Sequence, residues 1–362
     1  MNKALLSLGF KRNSIDPCLL MREDCFIICY VDDCGIAVKA KKVVVDLVES
    51  LRNKGFDLTM EGSFSEFLGI KFEEVATGKI HMSQRGLIKN IFIATGMESC
   101  APNWTPAARR VLDSDENGGA IAETWNYSSI VGMLLYLSGN TRPDISFAVS
   151  QVARYCHTPK QSHAVAVKMI VRYLKRTETQ GLIVDLSQFS MEITCYVDAD
   201  FAGRFGADAP SNPAWARSRT GFVIKLGGCP LIWKSQLQKL TALSTAESEY
   251  IALSHAMRIL IPIQSLLQDL FAIIDVPYAS VTTQIRATVF EDNSTALQLA
   301  TRQVVTTRTR HIAVRFHHFW ENVSSKQILC EKIPSAKQQG DFLTKPLCRE
   351  LFEKCRKMVK GW

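Results

Sequence analysis

No internal repeat and no low-complexity tract runs through this sequence, which sets aside solenoid and fibrous architectures. It also lacks an apolar run long enough to cross a bilayer: the segment Phe26–Val31 is broken at once by Asp32 and Asp33. The N-terminus has no apolar signal core. These absences lead us to expect an intracellular, soluble protein with no membrane partner. The 11 cysteines show no pairing rhythm. Cys25, Cys29 and Cys34 come nearest to a cluster, but their spacing fits no zinc site and no histidine lies nearby. Cys195 and Cys229 fall in apolar, strand-like runs, where a reduced thiol acts as a small hydrophobe. Buried thiols in a reducing compartment are expected.

What is present points to several cored units. The chain has 362 residues, which leads to an expectation of two or three units, and 47% of them are apolar, ample for real cores and an argument against disorder. With 43 Lys and Arg against 35 Asp and Glu, the net charge of +8 favours a polyanionic partner.

Three textures follow one another. In residues 1–110, Ile27–Val31 enters two aspartates and Ile36–Val38 leaves them, a hairpin with carboxylates at its tip. Val45, Leu47, Val48 and Leu51 share one face of a helix over Lys42–Lys54, and Phe67–Phe72 with Lys79–Met82 read as a strand pair about Thr77-Gly78. Ala101–Gly119, with Pro102, Pro106, Gly118 and Gly119, reads as a linker. In residues 111–188 the pattern turns helical. Tyr127, Ile130, Leu134, Leu135 and Leu137 form one apolar face, a second helix begins after Pro143, and a third runs from Gln161 through Leu174.

From residue 189 to 347 the expected order is legible. Ile193, Cys195 and Val197 alternate as a strand ending at Asp198. Thr220–Leu226 and Cys229–Lys234 make a hairpin about Gly227-Gly228. Leu240–Leu243 continues the sheet region, a helix covers about Ala246–Leu260, Ala287–Phe290 is a fourth strand, and Asn293–Arg302 is a helix. Ile312–Val323, Ile328–Ile333 and Gln338–Leu343 follow as helix, strand and helix, and residues 348–362 form a terminal helix or tail. The fold class is therefore α/β (α+β): a mixed sheet with flanking helices and carboxylates at element ends.

Those carboxylates carry the chemistry. Asp198 and Asp292 close two strands, while Glu249 and Asp341 lie near helix starts. If the two strands are neighbours, four acids meet, and so concentrated a charge is tolerable only around divalent cations. Hard oxygen ligands suit Mg²⁺ or Mn²⁺, and two such ions serve phosphodiester hydrolysis. The residues alone leave a plainer reading open: acids favour helix N-termini, and Asp292-Asn293 reads equally as a helix cap.

A resemblance bears on that choice. Tyr196-Val-Asp-Ala-Asp-Phe-Ala-Gly203, Ser218-Arg-Thr-Gly-Phe-Val223, Leu226-Gly-Gly-Cys-Pro-Leu-Ile-Trp-Lys-Ser235, Leu243-Ser-Thr-Ala-Glu-Ser-Glu-Tyr-Ile-Ala-Leu253, Glu291-Asp-Asn-Ser-Thr-Ala296, Arg308-Thr-Arg-His-Ile312 and Asp341-Phe-Leu-Thr-Lys-Pro-Leu347 resemble, in order, the ribonuclease H domain of copia-type retrotransposon Pol polyproteins. The resemblance implies a ribonuclease H-like sheet, with Asp198, Glu249, Asp292 and Asp341 as catalytic acids binding two Mg²⁺ or Mn²⁺ ions. Glu249 is preferred to Glu247 because Glu-Tyr-Ile-Ala matches a Glu-x-x-Ala pattern, and Asp200 and Glu247 are the nearest rivals. Gly340 stands where the family has Ala, read as a mild change that loosens a helix start. Arg204–Ala216 is longer than the usual loop, which a surface connection tolerates. A catalytic histidine has no counterpart; Lys337 occupies that neighbourhood.

Tyr30-Val-Asp-Asp33, Leu8-Gly-Phe10, Asp16-Pro-Cys-Leu-Leu20, Phe67-Leu-Gly-Ile70 and Met82-Ser-Gln84 resemble the same family's reverse transcriptase, so residues 1–110 read as a truncated palm. Asp32, as a metal ligand, and Asp33 then make half a polymerase site, without the further aspartate and the fingers placed upstream. Thr141-Arg-Pro-Asp144 and Arg172-Tyr-Leu-Lys-Arg-Thr177 resemble the connecting region, where Arg142 and Arg172 read as internal caps or pairs at least as readily as nucleic-acid contacts.

The implied activity is hydrolysis of the RNA strand of an RNA–DNA hybrid. Candidate nucleic-acid contacts are Arg219, Lys234, Ser235, Asn293, Ser294, Arg308, Arg310 and His311, each equally a solvated surface group. Trp215 and Trp233 read as packing residues. Other retrotransposon proteins are possible partners, and the expected location is a cytoplasmic virus-like particle or the nucleus. The alternative, from a different class, is a decayed or repurposed transposon fragment that binds nucleic acid without cutting it.

Overall fold

The computed structural model describes residues 1–108, 111–187, 190–206, 212, 214–273, 285–303, 312 and 314–362. Backbone contacts gather them into two compact units, Met1–Leu68 with Ile259–Ile285, and Gly69–Arg258 with Arg286–Trp362. The helices of the middle of the chain thus share a unit with the C-terminal sheet.

In the first unit, β1 (Lys11–Arg12), β2 (Leu19–Arg22), β3 (Cys25–Tyr30) and β4 (Asp33–Val38) form an antiparallel sheet in chain order. Cys25 and Ile27 point inward from β3, as period-two alternation requires, and meet Leu5 of α1 (Asn2–Ser7) and Leu47 and Leu51 of α2 (Lys41–Arg52). The last ladder pair is Tyr30 with Asp33, so Val31-Asp32 is a two-residue turn. Val31 is 88% exposed at φ 53, a conformation a β-branched residue rarely adopts. All 11 cysteines are free, but not all are buried: Cys18 and Cys34 are exposed, correcting that expectation.

The short β5 (Glu66–Phe67) ends the N-terminal stretch of the first unit, and in the second unit β6 (Ile70–Ala76), β7 (Lys79–Ser83) and β8 (Leu182–Asp185) pair antiparallel. Four helices follow the chain: α3 (Arg85–Thr95), α4 (Tyr127–Asn140), α5 (Ser146–Val152) and α6 (Gln161–Arg176). The larger sheet has five strands: β9 (Ile193–Asp200), β10 (Arg219–Leu226), β11 (Cys229–Leu237), β12 (Ala287–Glu291) and β13 (Ile328–Lys332), in the order β11-β10-β9-β12-β13. The first three are antiparallel, β12 runs parallel to β9, and β13 parallel to β12. This is the ribonuclease H-like mixed sheet that the resemblance implied. Helix α7 (Thr245–Ile273) lies between β11 and β12 in the chain, and α8 (Ser294–Arg302), α9 (Trp320–Ser324), α10 (Asp341–Thr344) and α11 (Arg349–Lys360) complete the set.

One core joins Ile130, Leu134, Val149, Val167, Ile170 and Leu174 of the helices to Val223 and Trp233 of the sheet and to Phe342, Phe352 and Val359 near the end. Trp233 is a packing residue, as read, and its Nε1 donates to the Ser138 carbonyl at 2.7 Å. Beside this core lies a charged knot. Arg142 and Asp144 are fully buried and paired at 2.9 Å, Lys360 Nζ reaches Asp144 Oδ2 at 2.9 Å, and the Tyr173 hydroxyl donates to the same oxygen at 2.6 Å. Of the two readings left open for Arg142, the structure therefore favours the internal pair.

Several elements differ from expectation. Leu240–Leu243 is not a strand: the Leu243 N–H donates to Glu247 Oε2 and the Glu247 N–H to Ser244 Oγ, which turns the chain into α7 instead. Among its described residues Ile312–Val323 holds only a short 3₁₀ turn, Val314–His317, and α9; its i, i+3 apolar spacing suits 3₁₀ turns as well as an α-helix. Likewise Gln338–Leu343 contains only the start of α10. Leu135 is 47% exposed and lies off the buried face of α4. The helix expected over about Ala246–Leu260 is longer, since α7 continues past Pro262 to Ile273. By length and composition alone this 29-residue helix would suffice to cross a membrane, which corrects the claim that no segment would. Its first half is packed as a core helix, with Tyr250, Ala252, Leu253, Ala256 and Met257 buried.

Candidate metal and nuclease site

The site is assembled at the centre of the larger sheet. Parallel pairing sets Phe290 of β12 beside Tyr196 of β9, so Asp292 emerges next to Asp198. Glu249, in the second turn of α7, completes a cluster in which one oxygen each of Asp198, Glu249 and Asp292 lies within 4.8 Å of the others. Asp198 and Glu249 are buried, and Asp292 is half-buried. Asp341 opens α10 at the border of this cluster, tied to it by Lys345, whose Nζ lies 3.0 Å from Asp341 Oδ1 and 3.9 Å from Asp198 Oδ2. Thr344 donates its hydroxyl to Asp198 Oδ2, and Ser335 donates to Asp292 Oδ2 at 2.7 Å.

Glu247 and Asp200, the rival acids, sit elsewhere. Glu247 accepts the Leu243 N–H at the start of α7. Asp200 is half-buried at the end of β9, where burial raises its pKa and the charges of Lys345 and Arg219 oppose the rise.

Two participants were not singled out from the sequence. Glu291 is fully buried beside the cluster, its Oε1 accepting the Asn293 N–H at 2.9 Å. Strand alternation carried the signal, since Ala287, Val289 and Glu291 share the buried face of β12. Lys345 was quoted only as part of a motif, although its i, i+4 spacing from Asp341 places the two on one side of a helical turn.

The electrostatics are those of crowded, desolvated anions. Burial, reinforced by Glu291, Asp198 and Asp292, pushes the Glu249 carboxyl up to about 11. Burial raises Asp198 to about 7 against the pull of Lys345, with Asp341 and Asp292 adding to the rise. Burial likewise lifts Glu291 to about 8, opposed by the Asn293 N–H. Glu249 Oε2 and Glu291 Oε2 are buried with no hydrogen-bond donor. Converging hard oxygens, two of them lacking a donor, fit a divalent cation.

Close backbone approach shapes the pocket. A Cβ on Gly340 would meet Asp198 Cβ at 2.8 Å, and one on Gly221 would meet Thr344 Cγ2 at 2.6 Å. Gly340 is thus a packing requirement against Asp198, which corrects its reading as a mild change. We expect Gly340→Ala to lower stability by about 1–3 kcal/mol through overpacking and to weaken Mn²⁺ binding as Asp198 shifts, read by thermal denaturation and calorimetric titration.

The expected nucleic-acid contacts separate. Lys234 is exposed on β11. Asn293 caps α8, its side-chain oxygen accepting from the Thr295 and Ala296 N–H groups, and Ser294 accepts from Lys332 Nζ at 2.8 Å. Arg219 is 4% exposed, and its guanidinium donates to Ser150 at 2.6 Å and to Ser235 at 3.2 Å, so this arginine and Ser235 serve internal packing. Arg308, Arg310 and His311 lie outside the described residues. Lys337 is exposed in a short turn. Asp32 and Asp33 stand exposed at the β3–β4 tip, and among the described residues neither joins a group of three ligand-type side chains.

Comparison with known proteins places the chain. Residues 1–109 match the family described as reverse transcriptase (RNA-dependent DNA polymerase). The retrovirus-related Pol polyprotein from transposon TNT 1-94 of Nicotiana tabacum is 33% identical over 357 residues, 95% of this chain. An uncharacterized mitochondrial protein of Arabidopsis thaliana is 30% identical over 229 residues, covering 63% of this chain and 90% of that protein. Over nearly its whole length the chain is thus a homologue of copia-type retrotransposon Pol polyproteins. It spans about a quarter of the tobacco Pol polyprotein (25%), and 23% of the one from transposon RE1 of Arabidopsis thaliana, 30% identical over 353 residues. Among solved structures, the chain is similar to LC11 ribonuclease H1 isolated from compost, at 19% identity and a TM-score of 0.29, over 46% of this chain and 98% of that one. Strand order and direction, not that score, define the fold of the C-terminal sheet.

Proposed function

We propose that this chain is a divalent-metal-dependent ribonuclease H that hydrolyses the RNA strand of RNA–DNA hybrids. Asp198, Glu249, Asp292 and Asp341 would hold two Mg²⁺ or Mn²⁺ ions. The single observation that supports this most is the convergence of Asp198, Glu249 and Asp292 within 4.8 Å, from β9, α7 and β12, with Asp341 beside them. Bound there, the ions would supply the charge needed to activate water and to receive the leaving oxygen.

The chain's own residues do the rest. Thr344 and Ser335 fix one oxygen each of Asp198 and Asp292, leaving the other for coordination. Gln338 donates to the Val197 carbonyl at 2.8 Å and accepts the Gly340 N–H at 3.1 Å, which holds the turn before Asp341 against β9. Lys345 neutralises part of the cluster and keeps Asp341 near it. Lys234 and Ser294, on the surface, would meet the phosphates of the hybrid, and other retrotransposon proteins would be its partners.

The test is cleavage of an end-labelled RNA–DNA hybrid by the purified chain, with Mg²⁺, with Mn²⁺ and with chelator. Products confined to the RNA strand and to the metal-containing reactions are expected; an intact hybrid under all three conditions defeats the reading. Polymerase activity is not expected, because Asp32 and Asp33 have no third ligand beside them among the described residues. A primer-extension assay checks this, and steady dNTP incorporation by the purified chain is the contrary result.

A further inference from the structure

A second charged site lies away from the acids, where the C-terminal turn of α6 meets α11 and the chain after α3. It is an open cavity of about 500 Å³ whose lining includes Trp104, Lys175, Arg176, Gln180, Glu353 and Arg356. Glu353, the one acid among these, is engaged by Arg349 Nε at 3.2 Å. Three cations therefore face one anion that is already paired.

Lys175 and Arg176 have a plain explanation, since cations favour the carbonyl end of a helix. That does not account for Arg356, which comes from α11. Its Nη1 reaches the Tyr173 hydroxyl at 3.3 Å, while its Nε is buried without an acceptor. Gln180 Oε1 is also buried without a partner, and rotating that amide would present two further donors to the cavity. The cavity thus sets three cations, one with an N–H lacking an acceptor, against a single carboxylate that Arg349 already engages.

Trp104 narrows the choice of ligand. The Arg176 guanidinium sits 2.9 Å and the Arg349 guanidinium 3.0 Å from its ring centroid, so both are drawn over the indole. With cations over the ring, no face is left for a nucleobase. We propose that this cavity binds a backbone phosphate of a nucleic-acid strand, by charge and N–H donation and without reading the base. The phosphate is argued from the cavity, and its place in a nucleic-acid strand rests on the function proposed above.

Binding is measured in chelator, so that the acidic cluster plays no part and failure of the nuclease reading leaves this result intact. The probe is a fluorescein-labelled single-stranded oligodeoxynucleotide, followed by anisotropy across a range of salt. In Lys175→Gln/Arg356→Gln we expect Kd to rise about tenfold at low salt and the log–log salt slope to fall by about 1.4, from two lost cations at roughly 0.7 each. Glu353→Gln, which removes the competing carboxylate, is expected to tighten binding and keeps the test informative if the double variant unfolds. An abasic oligonucleotide should bind as well as the normal one. Inorganic phosphate should compete on the wild type but not on the double variant. The proposal is overturned by unchanged oligonucleotide affinity in both variants, by dependence on the bases, or by inorganic phosphate binding in the cavity without displacing the strand.

Discussion

Asp198→Asn is expected to leave a folded chain that no longer cuts a hybrid, with a loss of about a thousandfold or more. Removing one ligand forfeits several kcal/mol of charge stabilisation, and each 1.4 kcal/mol is a factor of ten. The fold should survive, because Thr344 can donate to the asparagine oxygen as it does to the carboxylate. In the absence of metal the variant should be more stable than the wild type, since one of several crowded anions is gone. Its pH profile carries the sign. Asp198, Glu249 and Glu291 have folded pKa values of about 7, 11 and 8, above their ordinary range. The folded state therefore holds protons that the unfolded chain releases near pH 4, and the metal-free chain should lose stability from about pH 4 upward, the Asp198 and Glu291 contributions ending near 7 and 8 and that of Glu249 near 11. Saturating Mn²⁺ should reverse that loss in the wild type, by about 2.7 kcal/mol at a hundred times Kd. Denaturation midpoints with and without chelator test all of this together; a wild type indifferent to Mn²⁺ at pH 8 contradicts it.

Asp144→Ala should be the most destabilising single change away from the acids, by about 3–5 kcal/mol, because it strands two buried cations, Arg142 and Lys360. Burial works against ionisation of Asp144, but Arg142 and Lys360 overcome it and hold the carboxyl well below the usual range. The same burial pushes the Lys360 ammonium down to about 7, with Arg142 adding to the effect. A depressed carboxyl contributes stability that is complete above about pH 4 and is lost as pH falls further. The variant should therefore lack the steepest part of the acid unfolding limb. Asp32→Asn, at an exposed hairpin tip, is the control and should stay within about 0.5 kcal/mol of wild type. Chemical denaturation at neutral pH decides the matter: a cost for Asp144→Ala no larger than that control means the knot contributes little.

Much of this was written into the chain locally. Alternation fixed β9, and Gly227-Gly228, both at positive φ, fixed the hairpin that follows it. Asn293 announced α8 as its cap. The acids of the cluster were recognisable from motif words whose spacing reflects local strand and helix geometry. Non-local matters were not legible. β8 is a four-residue strand that exists because β7 lies beside it, Pro262 stops no helix once the packing of α7 carries the chain through, and Glu291 became part of the site only when β12 settled next to β9.

Sequence by itself determined which segments could become strands or helices, and which side chains could bear charge at their ends, because those follow from periods of two and 3.6 residues. Tertiary structure alone decided which charges meet. Asp198 and Asp292 became neighbours through a parallel pairing across most of a hundred residues, and Arg142, Asp144 and Lys360 met in a core that joins the middle of the chain to its end. No local pattern encodes such encounters, since their free energy is realised only when distant apolar surfaces have already closed around them.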